Sequence, residues 1–392
     1  MLRFILKRLV GSFVVLIITS VFLFYLSDAI PGDPVVQVMD SEFEGSVVGG
    51  INDALYEQKA IELHRNLPKF YFSIIQNYLP DTLYRIINPA KRKILENDLT
   101  ASAVASTARL SLKDKFTLFK PKFIWCSSEN QYHYFLSGFL NFDVGKSARD
   151  GVPIFQKMKN PFRVTLILSM LALIFSVLGA WFFGLARVKN SDNRFLKIIE
   201  QAFNVAYAMP TFWIATLAIL FFCTSEFHLK IFPSPGLPDT FVSDRWSEYF
   251  MHIPYFFLPA LCMSLHLFII LAQHFKASLL ENAAENYFTT ARAKGLSYSQ
   301  SIRRHLVPNA VFPFLTVIGQ AIPLLITGVF VIEIIFNLPG MGRLTFDAIS
   351  QRDWLLAQTV FLLNSAVLLL SNLIIDVIYF GLNPKLSDKI TN

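Results

Sequence analysis

Residues 281–313 read ENAAENYFTTARAKGLSYSQSIRRHLVPNAVFP. They form a polar, basic island flanked by uncharged, mostly apolar runs of about 20 residues, the length that crosses a bilayer. Residues 282–294 are good helix formers without Pro or Gly, which predicts a helix there. Gly295 then stands where a helix C-cap wants a positive φ. Ser297 can N-cap a second helix, with Gln300 three places on completing a capping box, and Pro308 is expected to close that second piece. Connecting two spans does not require a capped turn. The island is therefore read as a surface that docks a partner, a short helix laid in a groove being an established recognition mode.

Composition places the chain in a membrane. Of 392 residues, 54% are hydrophobic and 16% charged, with a mean hydropathy of +0.47, whereas soluble domains carry about 25% charged residues. A net charge of +7 does not by itself indicate nucleic acid, because in a membrane protein the location of basic residues matters more than their sum. Cys126, Cys223 and Cys262 have no metal-ligand spacing and give no disulfide framework.

Apolar runs at residues 9–26, 164–186, 202–223, 253–273, 310–332 and 355–375 are each long enough to span, and none alternates like a barrel strand. The first is too long for a signal peptide and lacks a good cleavage site. The expectation is an all-α polytopic membrane protein with six transmembrane helices. With the N-terminus inside, residues 1–8, 187–200, 276–310 and 381–392 hold 14 Lys and Arg, and the short outer loops 224–252 and 337–355 hold 4. That asymmetry puts both termini and the island in the cytoplasm. The division expected is a stub and first span at 1–30, an extracytoplasmic segment at 31–163, a five-helix core at 164–380 containing the loop 276–310, and a tail at 381–392. Within the outer segment, 53–66 and 91–115 read as helices, with the aromatic stretch 69–79 packed on them, giving a small helical insert at about 41–130.

Most candidate chemistry resolves into structural roles. Residues 143–147, DVGKS, end like a phosphate-binding loop, but Leu140 stands where the first Gly should be, so no nucleotide site is expected. Asp28, Glu333 and Asp376 lie at span ends and are read as anchors or local hydrogen-bond partners rather than an ion path. His266 is read as a helix–helix hydrogen-bond partner. Pro210, Pro254, Pro259, Pro313 and Pro323 predict kinks. Arg292, Lys294, Arg303 and Arg304 suit orientation, anionic lipid or a docked protein, and charge alone does not separate these.

Residues 287–297, YFTTARAKGLS, followed by Arg304-His305 and by Pro308-Asn309-Ala310, resemble the cytoplasmic EAA loop of ABC-importer permeases, in the variant of the dipeptide/oligopeptide/nickel family, B-type subunit. Ala291, Gly295 and Pro308 fall at the motif's spacing. Thr289, His305 and Val307 stand where the general motif has Glu, Ile and Leu. Other stretches resemble the family in order: IPGDP at 30–34, NFDVGKS at 141–147, MPTFW at 209–213, FPSPG at 232–236, EIIFNLPGMGR at 333–343 and LNPK at 382–385. The resemblance covers about 1–40 and 130–390.

The resemblance implies a type I ABC importer permease fold without catalysis or cofactor of its own. ATP and Mg would be bound by two partner ATPase subunits. A homologous C-type permease, an extracytoplasmic substrate-binding protein and the lipid of the plasma membrane complete the expected surroundings, with no nucleic acid. It also implies a coupling element shaped by Ala291, Gly295 and Pro308, with Thr289, Arg292, Lys294, Arg303, Arg304 and His305 on it. Glu333, Phe336, Pro339, Gly340, Gly342 and Arg343 would shape the outer mouth. The cargo implied is a dipeptide or oligopeptide, with nickel or another small solute as the alternative. An ion-coupled secondary transporter would be expected to show internal repeats and mid-span acids; neither is evident. A membrane scaffold or sensor would leave the capped loop without a task.

Overall fold

The computed structural model describes residues 2–29, 33, 35–36, 38–39, 53–77, 79–80, 89–107, 120–225, 230–238, 241 and 245–382. Most of the IPGDP stretch, residues 383–385 of LNPK and the tail therefore lie outside the described residues, as do the side chains of Asp28 and Pro323. In chain order the helices are α1 Leu2–Ala29, α2 Asp53–Glu62, α3 Pro89–Thr107, α4 Gln131–Leu140, α5 Ile154–Lys189, α6 Arg194–Ala208, α7 Thr211–Phe222, α8 Trp246–Met251, α9 Ile253–Ala283, α10 Asn286–Ala293, α11 Tyr298–Ser301, α12 Val307–Ile335, α13 Met341–Ser350 and α14 Trp354–Leu382. Strands β1 Phe72–Gln76 and β2 Pro121–Trp125 pair antiparallel.

Among the described residues, four helical stretches are long and apolar enough to cross a membrane: Ile5–Ser27, Ile154–Lys189, Ile253–Ala283 and Trp354–Ile378. The third expected run is not one straight helix. It breaks between α6 and α7 with a bend of 113°, because Pro210 supplies no N–H and disfavours helix at the residue before it. Met209 is accordingly extended, at φ −82° and ψ 138°. Counted as one bent span, the pair brings the number to five. The fifth expected run lies in α12, a 29-residue helix whose side chains at 321–329 are outside the described residues.

The chain divides into two compact units. The first comprises residues 1–17, 158–347 and 363–392. Its core is built from α5, α9 and α12, where glycines let ring systems approach. Gly184 lies under Phe275 and Gly179 under Phe268. Phe275 is stacked on Trp181 at 5.0 Å and meets Phe314 at 4.5 Å. His266 Nε2 pairs at 3.0 Å with the Met209 carbonyl exposed by the α6–α7 break, so it acts as a helix–helix partner. Asp376 pairs with Arg8 at 3.2 Å, the anchoring role expected of it.

The second unit comprises residues 18–157 and 348–362. Asp33 accepts hydrogen bonds from the Val35 N–H at 2.9 Å and the Tyr56 hydroxyl at 2.6 Å, beside a small core of Val35, Met39, Tyr56 and Ala60. The expected helices at 53–66 and 91–115 appear as α2 and α3, the latter described to Thr107. The stretch 69–79 holds β1, so residues 31–163 are not all-helical. Its alternating exposed and half-buried residues are the period-2 signature of a strand.

Candidate functional site

The island folds as helix, glycine turn, helix. α9 runs for 31 residues, about 46 Å, longer than a hydrocarbon core of about 30 Å. The expected single helix over 282–294 is interrupted at Glu285, whose backbone is extended, and resumes as α10. Lys294 ends α10 by donating its N–H to the Thr290 carbonyl at 3.1 Å. Gly295 follows at φ +89°, the conformation expected of a C-cap glycine. The capping box is present in both directions. The Gln300 N–H donates to Ser297 Oγ at 3.3 Å, and the Ser297 N–H donates to Gln300 Oε1 at 3.1 Å.

Pro308 does not close the second piece. Residues Ile302–Leu306 form a single π turn, with the Val307 N–H bonded to the Ile302 carbonyl, and the chain enters α12 without interruption. Pro308 falls in the first turn of α12, where a missing N–H costs little, and the extra residue of the π turn absorbs the register change its ring demands. The second piece is thus continuous with α12.

The island has two faces. Phe288, Ala291, Ile302 and Leu306 are buried, and Phe288, Ile302 and Leu306 belong to the core cluster of the first unit. Burying Phe288 alone contributes about 2 kcal/mol. Tyr298 donates its hydroxyl to the Val188 carbonyl at the end of α5, at 3.3 Å, and the Arg292 guanidinium lies 5.4 Å over the Tyr298 ring. On the other face Thr289, Arg292, Lys294, Gly295, Arg303, Arg304 and Pro308 are exposed, with His305 half-buried. Thr289, standing where the motif has Glu, bonds only locally, to the Asn286 carbonyl at 2.8 Å. At the membrane end of the neighbouring helices, Glu200 accepts from Arg187 at 2.8 Å and Lys276 at 2.6 Å, tying α5, α6 and α9 together.

The second motif, residues 333–343, closes on a carboxylate. Glu333 is fully buried. It accepts from the Thr165 hydroxyl at 2.5 Å and from the Arg343 N–H at 3.1 Å. The Met341 N–H donates to Thr165 Oγ1 at 2.8 Å. These amides are the first N–H groups of α13, so the Glu333 and Thr165 side chains supply acceptors to a helix N-terminus. The motif's residue types follow from this. A Cβ on Gly340 would overlap the Glu333 carboxylate, and one on Gly342 would lie 2.5 Å from the Phe330 Cα. Asn337 turns the chain at φ +53°, and its side-chain oxygen accepts from Arg343. The Phe336 carbonyl accepts from the Gly236 N–H at 2.9 Å, Phe336 itself is buried, and Pro339 is exposed. Thr165, inside an apolar run, carried no signal in the sequence. Thr165→Val keeps its shape but leaves a buried carboxylate oxygen and an amide unpaired, and is expected to lower stability by about 2 kcal/mol. A thermal melt of the detergent-solubilised protein reads this directly.

The DVGKS stretch is a folded turn, not a phosphate cradle. Ser147 is buried and donates to Asp353 Oδ2 at 2.5 Å, while Asp353 Oδ1 accepts from the Leu356 N–H at 3.3 Å in the first turn of α14. Lys157 reaches Ser147 at 3.1 Å and Asp150 at 2.6 Å. Burial works against ionisation of Asp150, but hydrogen bonds from Lys157 and the Val152 N–H, with the charge of Lys157, outweigh it and hold the carboxyl below its usual range. With the folded value depressed, the contribution is complete above the unfolded value of about 3.9 and is lost as pH falls through the folded value. Hydrogen exchange at Gly151 and Ile154, normalised for intrinsic rate, should therefore rise on acidification below about pH 4. In Asp150→Asn that rise should be absent.

Residues 172–388 match the family described as "Binding-protein-dependent transport system inner membrane component". Residues 1–82 match its N-terminal counterpart, "Binding-prot-dependent transport system membrane comp, N-term", which reaches beyond the residue-40 limit of the resemblance. A probable peptide ABC transporter permease protein of Sinorhizobium fredii is 32% identical over 256 residues, covering 65% of this chain and 79% of the relative. A dipeptide transport system permease protein of Escherichia coli is 29% identical over 278 residues, covering 66% and 81%. A solved structure of an amino acid ABC transporter with histidines aligns at a TM-score of 0.40 and 15% identity, over 59% of this chain and 94% of that one.

Proposed function

Since the chain belongs to the binding-protein-dependent transport system inner membrane component family, we propose that it works as the B-type permease subunit of a peptide-importing ABC transporter. It is a multi-pass plasma-membrane protein of a non-catalytic family. In the full reading six spans cross the bilayer, both termini face the cytoplasm, and residues 31–163 lie outside. ATP and Mg are bound by two partner ATPase subunits. A homologous C-type permease completes the pathway, and an extracytoplasmic binding protein delivers the cargo.

The observation that carries this is the two-faced loop. Its buried face is part of the permease core, its exposed face offers Arg292, Lys294, Arg303 and Arg304, and its backbone runs unbroken into α12. A displacement imposed on the exposed face therefore moves helices rather than slack chain. Glu333, the acid that an ion-coupled carrier would need, is instead committed to Thr165 and the start of α13 as a helix-end anchor.

The test is ATP-dependent uptake of labelled peptides of graded length by the reconstituted complex, with nickel as the parallel cargo. Peptide accumulation that requires ATP supports the reading. Accumulation driven by an ion gradient without ATP would overturn it.

A further inference from the structure

Among the described residues, one face of the β1–β2 ribbon is left exposed. The cross-strand pairs Phe72–Trp125 and Ile74–Phe123 share that face, and the four side chains are 49%, 69%, 65% and 60% exposed in that order. Phe72 and Phe123 stack at 5.6 Å. Water-facing segments seldom leave such a cluster open without a partner surface, and a two-stranded ribbon alone is only marginally stable.

The position of the ribbon beside α1 indicates what covers it. Phe24 of α1 meets Phe70 edge-on at 5.2 Å and Tyr132 at 5.6 Å. Ser20 shares a 2.7 Å hydrogen bond with the Tyr132 hydroxyl. The start of α4 is tied to the lead into β1, with the Gln131 N–H on the Pro68 carbonyl at 2.9 Å and the Tyr132 N–H on the Lys69 carbonyl at 3.1 Å. The Cys126 N–H closes the ribbon base on the Tyr71 carbonyl at 2.7 Å. Phe24 lies two residues inside the end of the apolar run 9–26, and Ser20 about 9 Å inside it. Phe72 follows within about 7 Å of Phe70 along the chain, with Trp125 paired across from it. The interfacial layer beyond the hydrocarbon core is itself about 5–7 Å deep. On α1, Ser20 and Phe24 face this cluster, while Ile18, Phe22 and Tyr25 are exposed as a lipid-facing surface.

We propose that the Phe72, Ile74, Phe123 and Trp125 face rests in the lipid headgroup–acyl boundary beside α1, clamping the inserted segment onto the membrane surface. Aromatic rings with apolar bodies concentrate at that depth. The occupant is lipid rather than protein because the ribbon's lead-in residue Phe70 and the adjoining Tyr132 are packed on Phe24, near the end of the apolar run of α1.

The experiment places a genetically encoded spin label at position 74 or 125 of the full chain, held in nanodiscs of phosphatidylcholine with phosphatidylglycerol. Collision with oxygen is compared with collision with a water-soluble nickel chelate. The expected result is oxygen preference at both positions, approaching that at position 22 of α1, with chelate preference at position 192 in an exposed turn. Chelate preference at 74 and 125 would overturn the proposal by placing the face in water. Labels immobile and shielded from both probes would overturn it in favour of a protein partner. Oxygen preference at position 22 tests the span reading of α1 separately, so the failures are distinguishable.

Discussion

Gly295→Pro is expected to insert and accumulate normally yet abolish ATP-driven peptide uptake. Gly295 sits at φ +89°, whereas proline is held near −65°. Its N–H also donates to the Arg292 carbonyl at 3.0 Å, a bond proline cannot make. The cost of about 3 kcal/mol or more falls on the turn between α10 and α11, so the exposed residues on the two sides of that turn no longer hold one relative orientation. A loss of at least about tenfold in uptake corresponds to 1.4 kcal/mol of coupling energy. Gly295→Ala is the control. No atom lies within 4 Å of the added methyl, and the positive φ costs about 1–2 kcal/mol, so uptake should be retained in large part. Transport at the parent rate in Gly295→Pro would show that the turn has no part in coupling.

Gly340→Ala is expected to have the largest effect on stability. The added methyl would occupy the space of the Glu333 carboxylate. That group cannot withdraw without breaking its bonds to Thr165 and the Arg343 amide. Overpacking costs about 1–3 kcal/mol, and each buried polar group left unpaired adds about 1–3 kcal/mol, so the variant should melt far earlier or fail to accumulate. Glu333→Ala removes the obstacle but leaves the first amides of α13 unpaired. The double variant should therefore be less destabilised than the sum of the two single changes, which a double-mutant cycle measures. Additive losses would contradict the contact.

These two glycines mark what the sequence could disclose. Gly295 and the Ser297–Gln300 box were legible because caps depend on a few consecutive residues. Gly340 and Gly342 were recognisable as a family pattern, but their cause was not. It lies in the close approach of Gly340 to the Glu333 carboxylate and of Gly342 to Phe330, with the carboxylate bonded to Thr165 more than 160 residues away in the chain, and no local signal connects a threonine in an apolar run to a distant carboxylate. Pro308 was misread as a stop because a π turn leaves no compositional trace. The break after Met209 was visible in Pro210, but the 113° size of the bend was not. β1 does alternate, but as a short strand whose partner lies some 50 residues on; the aromatic rings in 69–79 fit helix packing equally well by composition.

The central claim is that the exposed face of the 281–313 loop is where an ATPase subunit drives this permease. A photo-crosslinking amino acid at position 294, in the complex in its native membrane, tests it most directly. The account predicts an adduct with an ATPase subunit whose yield changes when ATP is added, and none from position 192. Adducts only with lipid, or none with an ATPase subunit in any nucleotide state, would contradict it.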